Sequence, residues 1–406
     1  MNGPASAGAG LQAIQVRPGH PDFLDLPWHL PVSRWREATD RLVEVEIGLC
    51  RHEVVFASYG GVIYALKELP THLGHREYEL LQWLEDRELP AVMPAGHARA
   101  RSGAGEEHET SLLITRFLEG SVPYRTLFMS PGMTRYRERL MDAMAGLLVR
   151  LHLAGFYWGD FSLSNTLFRR DAGELHAVLV DAETSEFHEQ LSPGMRRQDL
   201  FIMEENVAGE LADLRALAEL TPPAGADRTG PGIRERYEHL WDEITREEII
   251  APHENYRIHE RARALNELGF SVREIELIPS GDGRQLRVRT MVTDRMYHHH
   301  LLHSLTGVVA RDRQAALMLN EIREMRALLG RERNRSVPMS EAAFQWRHGR
   351  YDPTVRRLRP LETEVADPPE LYCQVLEHKW FLSEKARQDV GLERALEDYL
   401  QRFQKK

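Results

Sequence analysis

From Leu42 to Leu69 the text LVEVEIGLCRHEVVFASYGGVIYALKEL alternates apolar and polar residues in three bursts, broken at Gly48 and at Tyr59-Gly60-Gly61. Alternation with period two sends successive side chains to opposite faces of a strand, so the pattern predicts an antiparallel meander. The period then changes. In HREYELLQWLEDREL, Glu77, Leu81 and Leu84 recur at i, i+4 and i+7, which predicts a helix that stops before Pro90. SLLITRFL, residues 111–118, reads as another strand. RERLMDAMAGLLVRLHLAG carries Leu140, Met144, Leu147, Leu148 and Leu151 at helical spacing, with Gly155 as the stop. AVLVDAET predicts a short buried strand ending at Asp181, and residues 198–220 a long helix.

TPPAGADRTGPG, residues 221–232, is rich in Pro and Gly and reads as a linker. Beyond it the pattern predicts a helix over 234–251 and a hairpin, REIELIPSGDGRQLRVRTMV, turning at Pro-Ser-Gly-Asp-Gly. Helices follow on both sides of RNRSVP, and no repeat of fixed period occurs. The expected organisation is a disordered tip over 1–20, a first domain over 21–220, the linker over 221–232 and a second domain over 233–406. Within the first domain, residues 41–118 are strand-rich and 119–220 helical; the second domain is α+β and mostly helical.

At 406 residues, 42% hydrophobic and 28% charged, the chain can bury the cores of two or three domains. Its formal charge of -10 argues against wholesale binding to a nucleic-acid backbone. Cys50 and Cys373 stand far apart, in neither a disulfide framework nor a thiolate zinc spacing. The opening MNGPASAGAG lacks a basic and an apolar leader region, and no apolar run is long enough for a membrane span, so a cytoplasmic protein is expected.

The candidate chemistry centres on FYWGDFSLSNTLF, residues 156–168, where Asp160 and Asn165 lie five positions apart between runs that read as buried. A lone Asp or Asn in a loop is most often a turn or cap residue. Here they belong to an ordered set. Lys67 ends the strand VIYALK, Glu77 follows ten residues later on the inward helix face, and Asp181 ends the strand after the loop. Transfer of a phosphoryl group from ATP needs such a set: a lysine on the phosphates, a carboxylate to fix it, a carboxylate near the acceptor hydroxyl, and two oxygen ligands for Mg²⁺. Glu79 shares the outer helix face with Trp83 and is not preferred over Glu77. His152 reads as a packed or capping histidine.

In order and spacing these residues, from Arg41 to Leu220, resemble the protein-kinase-like superfamily. The resemblance implies an α+β, bilobal kinase-like fold, with a β-rich N-lobe, a helical C-lobe and ATP in the cleft between them. It implies that Lys67 contacts the phosphates, Glu77 pairs with Lys67, Asp160 is the catalytic base, and Asn165 and Asp181 hold Mg²⁺. Gly48, Arg116, Phe117 and Leu118 join Lys67 as implied nucleotide-binding residues. Asp199, in RRQDLF, either braces the catalytic loop from below, as a helix Asp does in relatives, or faces solvent. Trp158-Gly159 stands where protein kinases carry His-Arg, which leaves no arginine there to receive an activation-loop phosphate.

WGDFSLSN and the Asp181-Ala182-Glu183 triplet are closer to small-molecule kinases, such as aminoglycoside and choline kinases, and to lipopolysaccharide (Kdo/heptose) kinases. The whole chain resembles a bacterial group in which a lipopolysaccharide-kinase-like part precedes a C-terminal domain of unknown function. Ser162 stands where serine/threonine protein kinases typically carry lysine, which favours a small-molecule or glycan acceptor over an atypical protein kinase. Gly48 stands alone where three glycines are usual, which keeps open a pseudokinase scaffold that binds nucleotide and presents its C-terminal domain to a protein partner. In that domain His299 and His303 lie at i, i+4, but no glutamate accompanies them in a metalloprotease pattern. Arg347, Arg350, Arg356, Arg357 and Arg359 cluster in QWRHGRYDPTVRRLRP, as either a solvated linker or a surface for an anion or a partner.

Overall fold

The structure, a computed structural model, describes residues 10–45, 52–102, 108–129, 134–171, 174–218, 228–246, 248–250, 260, 263–265, 272–280, 285–292, 297–333, 335–361 and 367–404. The chain divides into two compact units, one of Met1–Arg169 with Ala177–Glu238, the other of Arg170–His176 with His239–Lys406.

The first unit opens with β1 (Leu11–Val16), β2 (Leu42–Val43), β3 (Val54–Tyr59), β4 (Val62–Pro70), α1 (Thr71–Glu85), β5 (Pro94–Ser102) and β6 (His108–Arg116). The strands form one antiparallel sheet in the order β1-β5-β6-β4-β3-β2. The three bursts of alternation are β2, β3 and β4; Gly48, between the first two, lies outside the described residues. Two strands were not legible. β5 buries Ala95, Ala98 and Ala100, whose small side chains hide the alternation, and its register shifts between Pro94 and Gly96. β1 overturns the expectation of a disordered tip through residue 20: Leu11–Val16 pairs with β5 as an edge strand of the sheet, and Leu11, Ile14 and Val16 pack against its core.

One set of alternating side chains, including Tyr64, Leu66, Leu112 and Ile114, packs with Phe23, Trp28 and Trp35 from the segment before β2. Trp28 and Trp35 meet edge-on, 5.3 Å between ring centroids. The other set meets α1, which buries Gly74, Glu77, Tyr78, Leu81 and Leu84. This alternation aims Leu66 into the core and Lys67 toward α1.

The helical part comprises β7 (Ser121–Val122), α2 (Tyr124–Met129), α3 (Thr134–Leu153), β8 (Phe156–Tyr157), β9 (Thr166–Asp171), β10 (Glu174–Leu179), β11 (Glu186–Phe187), α4 (Pro193–Ala218) and α5 (Thr229–Thr245). Leu140, Met144, Leu147, Leu148 and Leu151 form the buried stripe of α3 that their spacing predicts. The expected linker over 221–232 and helix over 234–251 need correction. α5 begins at Thr229, within the linker, and Glu248–Ile250 is a strand. The glycines there serve close packing: a Cβ at Gly230 would lie 3.2 Å from the Glu204 Cα, and one at Gly232 2.7 Å from the Met141 sulfur. Pro231 is tolerated because it falls in the first helical turn.

In the second unit, strands Glu248–Ile250, Val272–Ser280 and Gln285–Val292 form an antiparallel sheet; the expected hairpin is present, but Pro279 and Ser280, read as turn residues, are paired with Leu286 and Gln285, and residues 281–284 lie outside the described residues. Helices Tyr297–Thr306, Asp312–Arg333, Met339–Trp346, Asp352–Leu358, Pro368–Ala386 and Leu392–Gln404 follow. Met318, Ile322, Trp346 and Tyr372 lie in the core they enclose. The architecture is the α+β one expected: a β-rich lobe and a helical lobe in the first unit, then a mostly helical second unit.

Candidate active site

Lys67 lies inside β4, which runs on to Pro70 rather than ending at the lysine as expected, and is paired across the sheet with Val54 and Leu113, so its backbone is fixed. Its Nζ lies 2.7 Å from Asp181 Oδ2, 3.1 Å and 3.3 Å from the Glu77 oxygens, and 3.9 Å from Glu183 Oε2. Burial disfavours the Lys67 ammonium, but Glu77 and Asp181 outweigh it and hold its pKa above the ordinary value. Glu77 is fully buried on the inner face of α1 and also accepts the Ala182 N–H at 3.1 Å. Burial pushes Glu77 up to about 7, against the pull of Lys67. Glu79 is exposed and pairs with His75.

The loop from Trp158 to Asn165 is held from beneath by α4. Gly159 has φ 77°, a left-handed conformation, and a Cβ there would lie 3.0 Å from Thr184 O. Asp199, fully buried, accepts the N–H groups of Trp158 and Gly159, both at 2.9 Å. His152 Nε2 lies 3.0 Å from the same carboxylate, and its Nδ1 2.8 Å from the Tyr237 hydroxyl. Burial lowers the His152 pKa although Asp199 opposes it, which favours the neutral ring; in that form the two contacts are matched by Nε2 donating to Asp199 and Nδ1 accepting from Tyr237. Of the two readings of Asp199, the brace is the one observed. Trp158 adds a second tie: its indole N–H donates to Asp181 O at 2.7 Å, and its carbonyl accepts from Thr184 and Ser185.

Asp160 Oδ2 accepts from Asn165 Nδ2 at 3.0 Å, and Asp160 Oδ1 from Asn206 Nδ2 at 2.9 Å. Glu210, one turn further along α4, accepts the N–H groups of Leu163 and Ser164 at 2.8 and 2.9 Å. Burial raises the Glu210 pKa, while those loop donors pull it down. Lys67, Asp160, Asn165 and Asp181 line one cleft of about 340 Å³, together with His52, Ser162, Ser164, Glu183, Asn206 and Glu210. The sequence reading missed His52, whose Nε2 lies 2.8 Å from Glu183 Oε2, and it missed Asn206 and Glu210. A signal for the last two existed: Asp199, Asn206 and Glu210 recur at i, i+7 and i+11 on one face of α4.

Arg116, Phe117 and Leu118 do not line this cleft; Phe117 follows β6, donating its N–H to Ile63 O and meeting the Phe56 ring edge-on. Asn165 and Asp181 could offer oxygen atoms to a hard cation such as Mg²⁺, with Asp181 Oδ2 now 2.7 Å from Lys67 Nζ. With the Asn165 amide nitrogen used on Asp160, its oxygen remains to ligate, and Asp181 adds carboxylate oxygens: hard donors only. Among the described residues no group of three or more His, Cys, Asp or Glu side chains is placed to hold a metal. His299 is engaged with Ala310 O at 2.5 Å, and its ring stacks on His303.

The five clustered arginines, Arg347, Arg350, Arg356, Arg357 and Arg359, sit on helical turns, which removes the linker reading. Arg347 donates to Thr306 O, Arg350 lies 3.5 Å from the buried Glu321, Arg357 pairs with Glu393, and Arg356 donates to Asp352 O at 3.2 Å. Arg359 is exposed in the short helical turn that follows Leu358.

A β-rich lobe carrying a strand lysine paired to a helix glutamate, over a helical lobe carrying the Asp160–Asn165 loop, defines the first unit as protein-kinase-like. The pattern of the lipopolysaccharide kinase (Kdo/WaaP) family matches residues 63–217, and that of a domain of unknown function, DUF4032, matches residues 239–403. The resemblance read from the sequence is thereby borne out: residues 63–217 are similar to lipopolysaccharide kinases, and residues 239–403 to the domain of unknown function. Among solved structures, one described as WaaP in complex with acyl carrier protein matches at 15% identity and a TM-score of 0.34, covering 57% of this chain and 100% of that one. An aminoglycoside-3'-phosphotransferase of type VIII matches at 16% identity and a TM-score of 0.31, covering 48% and 93%. No curated protein matches. No helix among the described residues is long and apolar enough to cross a membrane.

Proposed function

We propose that the first unit transfers the terminal phosphoryl group of ATP, in a Mg²⁺-dependent reaction, to an alcohol group of a small molecule or glycan. The observation that carries this reading is the contact of Lys67 Nζ with both Glu77 and Asp181 in the cleft that also holds Asp160 and Asn165. Lys67 neutralises the phosphates, and Glu77 keeps the ammonium in place. Asn165 and Asp181 hold the Mg²⁺, which when bound screens the phosphate charge. Asp160 takes the proton of the acceptor hydroxyl as its oxygen bonds to the γ-phosphorus. The bond to the bridging oxygen breaks and ADP leaves.

Binding and chemistry separate experimentally. Mg-ATP should raise the unfolding temperature of the protein, and Lys67→Ala or Asp181→Ala should abolish the rise. Folded variants that retain the full stabilisation would refute the assignment. Asp160→Asn should keep ATP affinity and lower turnover, measured over a panel of sugars and amino alcohols, by roughly a hundredfold or more. Binding of ATP without turnover on any acceptor would identify a nucleotide-binding scaffold instead.

A further inference from the structure

We propose that Asn206 is a positioning residue that holds the Asp160 carboxylate in the orientation a phosphoryl acceptor requires, an inference that rests on the phosphotransferase reading. The three polar residues on the inner face of α4 divide the loop between them. Asp199 grips the N–H groups of Trp158 and Gly159, and Glu210 those of Leu163 and Ser164. Both act on backbone. Asn206 alone of the three reaches the carboxylate of Asp160.

The aim of its amide is set locally. Asn206 Nδ2 donates to Phe161 O at 3.2 Å as well as to Asp160 Oδ1 at 2.9 Å, so both N–H groups have acceptors and the amide plane is fixed by the loop backbone. Asn165 does the same from the other side, with Nδ2 3.0 Å from both Asp160 O and Asp160 Oδ2. Each carboxylate oxygen of Asp160 thus accepts from an amide nitrogen, Oδ2 from Asn165 and Oδ1 from Asn206. The terminal torsion of an aspartate is broad and roughly two-fold, so a single donor does not fix the carboxyl plane. Two donors, one on each oxygen, do.

A purely structural role would make Asn206 one more tie on the loop, and three measurements distinguish the two. Crystal structures of wild type and Asn206→Ala should show the Asp160 carboxyl plane turned by tens of degrees in the variant, with the loop backbone in place. Wherever turnover is detected, Asn206→Ala should lower kcat by roughly tenfold to a hundredfold, the scale of a misplaced catalytic group, and leave KM for ATP near the wild-type value. Asn206→Asp keeps the shape but sets a carboxylate against Asp160, and should lower kcat further than Ala does. In an Asp160→Asn background Asn206→Ala should have no added effect on kcat, because the two substitutions act through one group.

An unmoved Asp160 in the Asn206→Ala structure, or equal kcat losses in both backgrounds, would overturn the proposal. If wild type turns over no acceptor, the phosphotransferase reading falls, and the carboxylate orientation in the two crystal structures still decides whether Asn206 sets it.

Discussion

Replacing Asp199 by Ala should loosen the loop from Trp158 to Asn165 more than any other single change at its base. The carboxylate accepts from Trp158 N, Gly159 N and His152 Nε2, all within 3.0 Å, and is fully buried. The substitution strands three donors, two of them buried and the Gly159 N–H partly so. Each stranded buried donor costs ~1–3 kcal/mol, and partial relaxation makes the sum less than additive, for a total loss of about 3–5 kcal/mol. Asp199→Asn keeps one oxygen and turns an NH₂ toward a donor, so a loss of about 2 kcal/mol is expected. In calorimetry a loss of that larger size should lower the unfolding temperature of the first unit by roughly 10 °C. Hydrogen exchange gives the local reading: the Trp158 and Gly159 amides should exchange on the order of a hundredfold faster in Asp199→Ala. Loop amides as protected as in wild type, with stability unchanged, would refute the argument that Asp199 carries the loop.

Gly159→Ala should destabilise by about 1–2 kcal/mol in denaturant titration, since its φ of 77° is left-handed and the new Cβ would crowd Thr184 O; an Ala variant of equal stability would show that the loop adopts another backbone. Glu77, raised by burial to about 7 from its ordinary 4.5, binds more protons folded than unfolded across that interval. Its contribution to stability is therefore complete below pH 4.5 and is lost as pH rises through 7, whereas ATP turnover should rise over the same range as the ionised form fixes Lys67. Stability of Glu77→Gln should lack this decline, and an identical pH profile for variant and wild type would contradict the assignment. Arg350→Ala should destabilise the second unit by about 2 kcal/mol by leaving the Glu321 carboxylate, buried beside Trp346 and Tyr372, without its cation; unchanged stability with weakened binding of inorganic phosphate would return Arg350 to an anion-binding role.

The legible parts of the fold and site were those written in short-range periodicity. β3, β4, α1 and α3 follow from alternation and from i, i+4 spacing, because one buried face decides each of them. Lys67, Glu77, Asp160, Asn165 and Asp181 could be gathered because their order along the chain, rather than any one spacing, is what a phosphate cleft needs. The remainder depends on contacts between distant segments. β1 is a strand only because β5 offers an edge, and β5 escapes notice because its buried apolar side chains include the small Ala95, Ala98 and Ala100, and His97 is buried among them. Asn206 and Glu210 sit on a helix that is amphipathic by polar as well as apolar contacts, and apolar periodicity alone does not reveal what a buried-side amide or carboxylate reaches. His52 and Glu183 meet across 131 positions of sequence, which no local pattern encodes.

The contact between His152 and Tyr237 bears on how the protein can be divided for study. Tyr237 lies on α5, beyond the stretch matched by the kinase family pattern, yet its hydroxyl joins the hydrogen-bonded chain that runs through His152 to Asp199 and the loop. α5 also covers Met141 and sets Arg234 on Glu204 and Arg236 on Asp142. A fragment cut at residue 220, where sequence composition suggests the first domain ends, would bare this surface and deprive the neutral imidazole of its donor. A fragment carried through Glu238 retains both, so expression and solubility of the two fragments should differ even though they share every residue of the cleft.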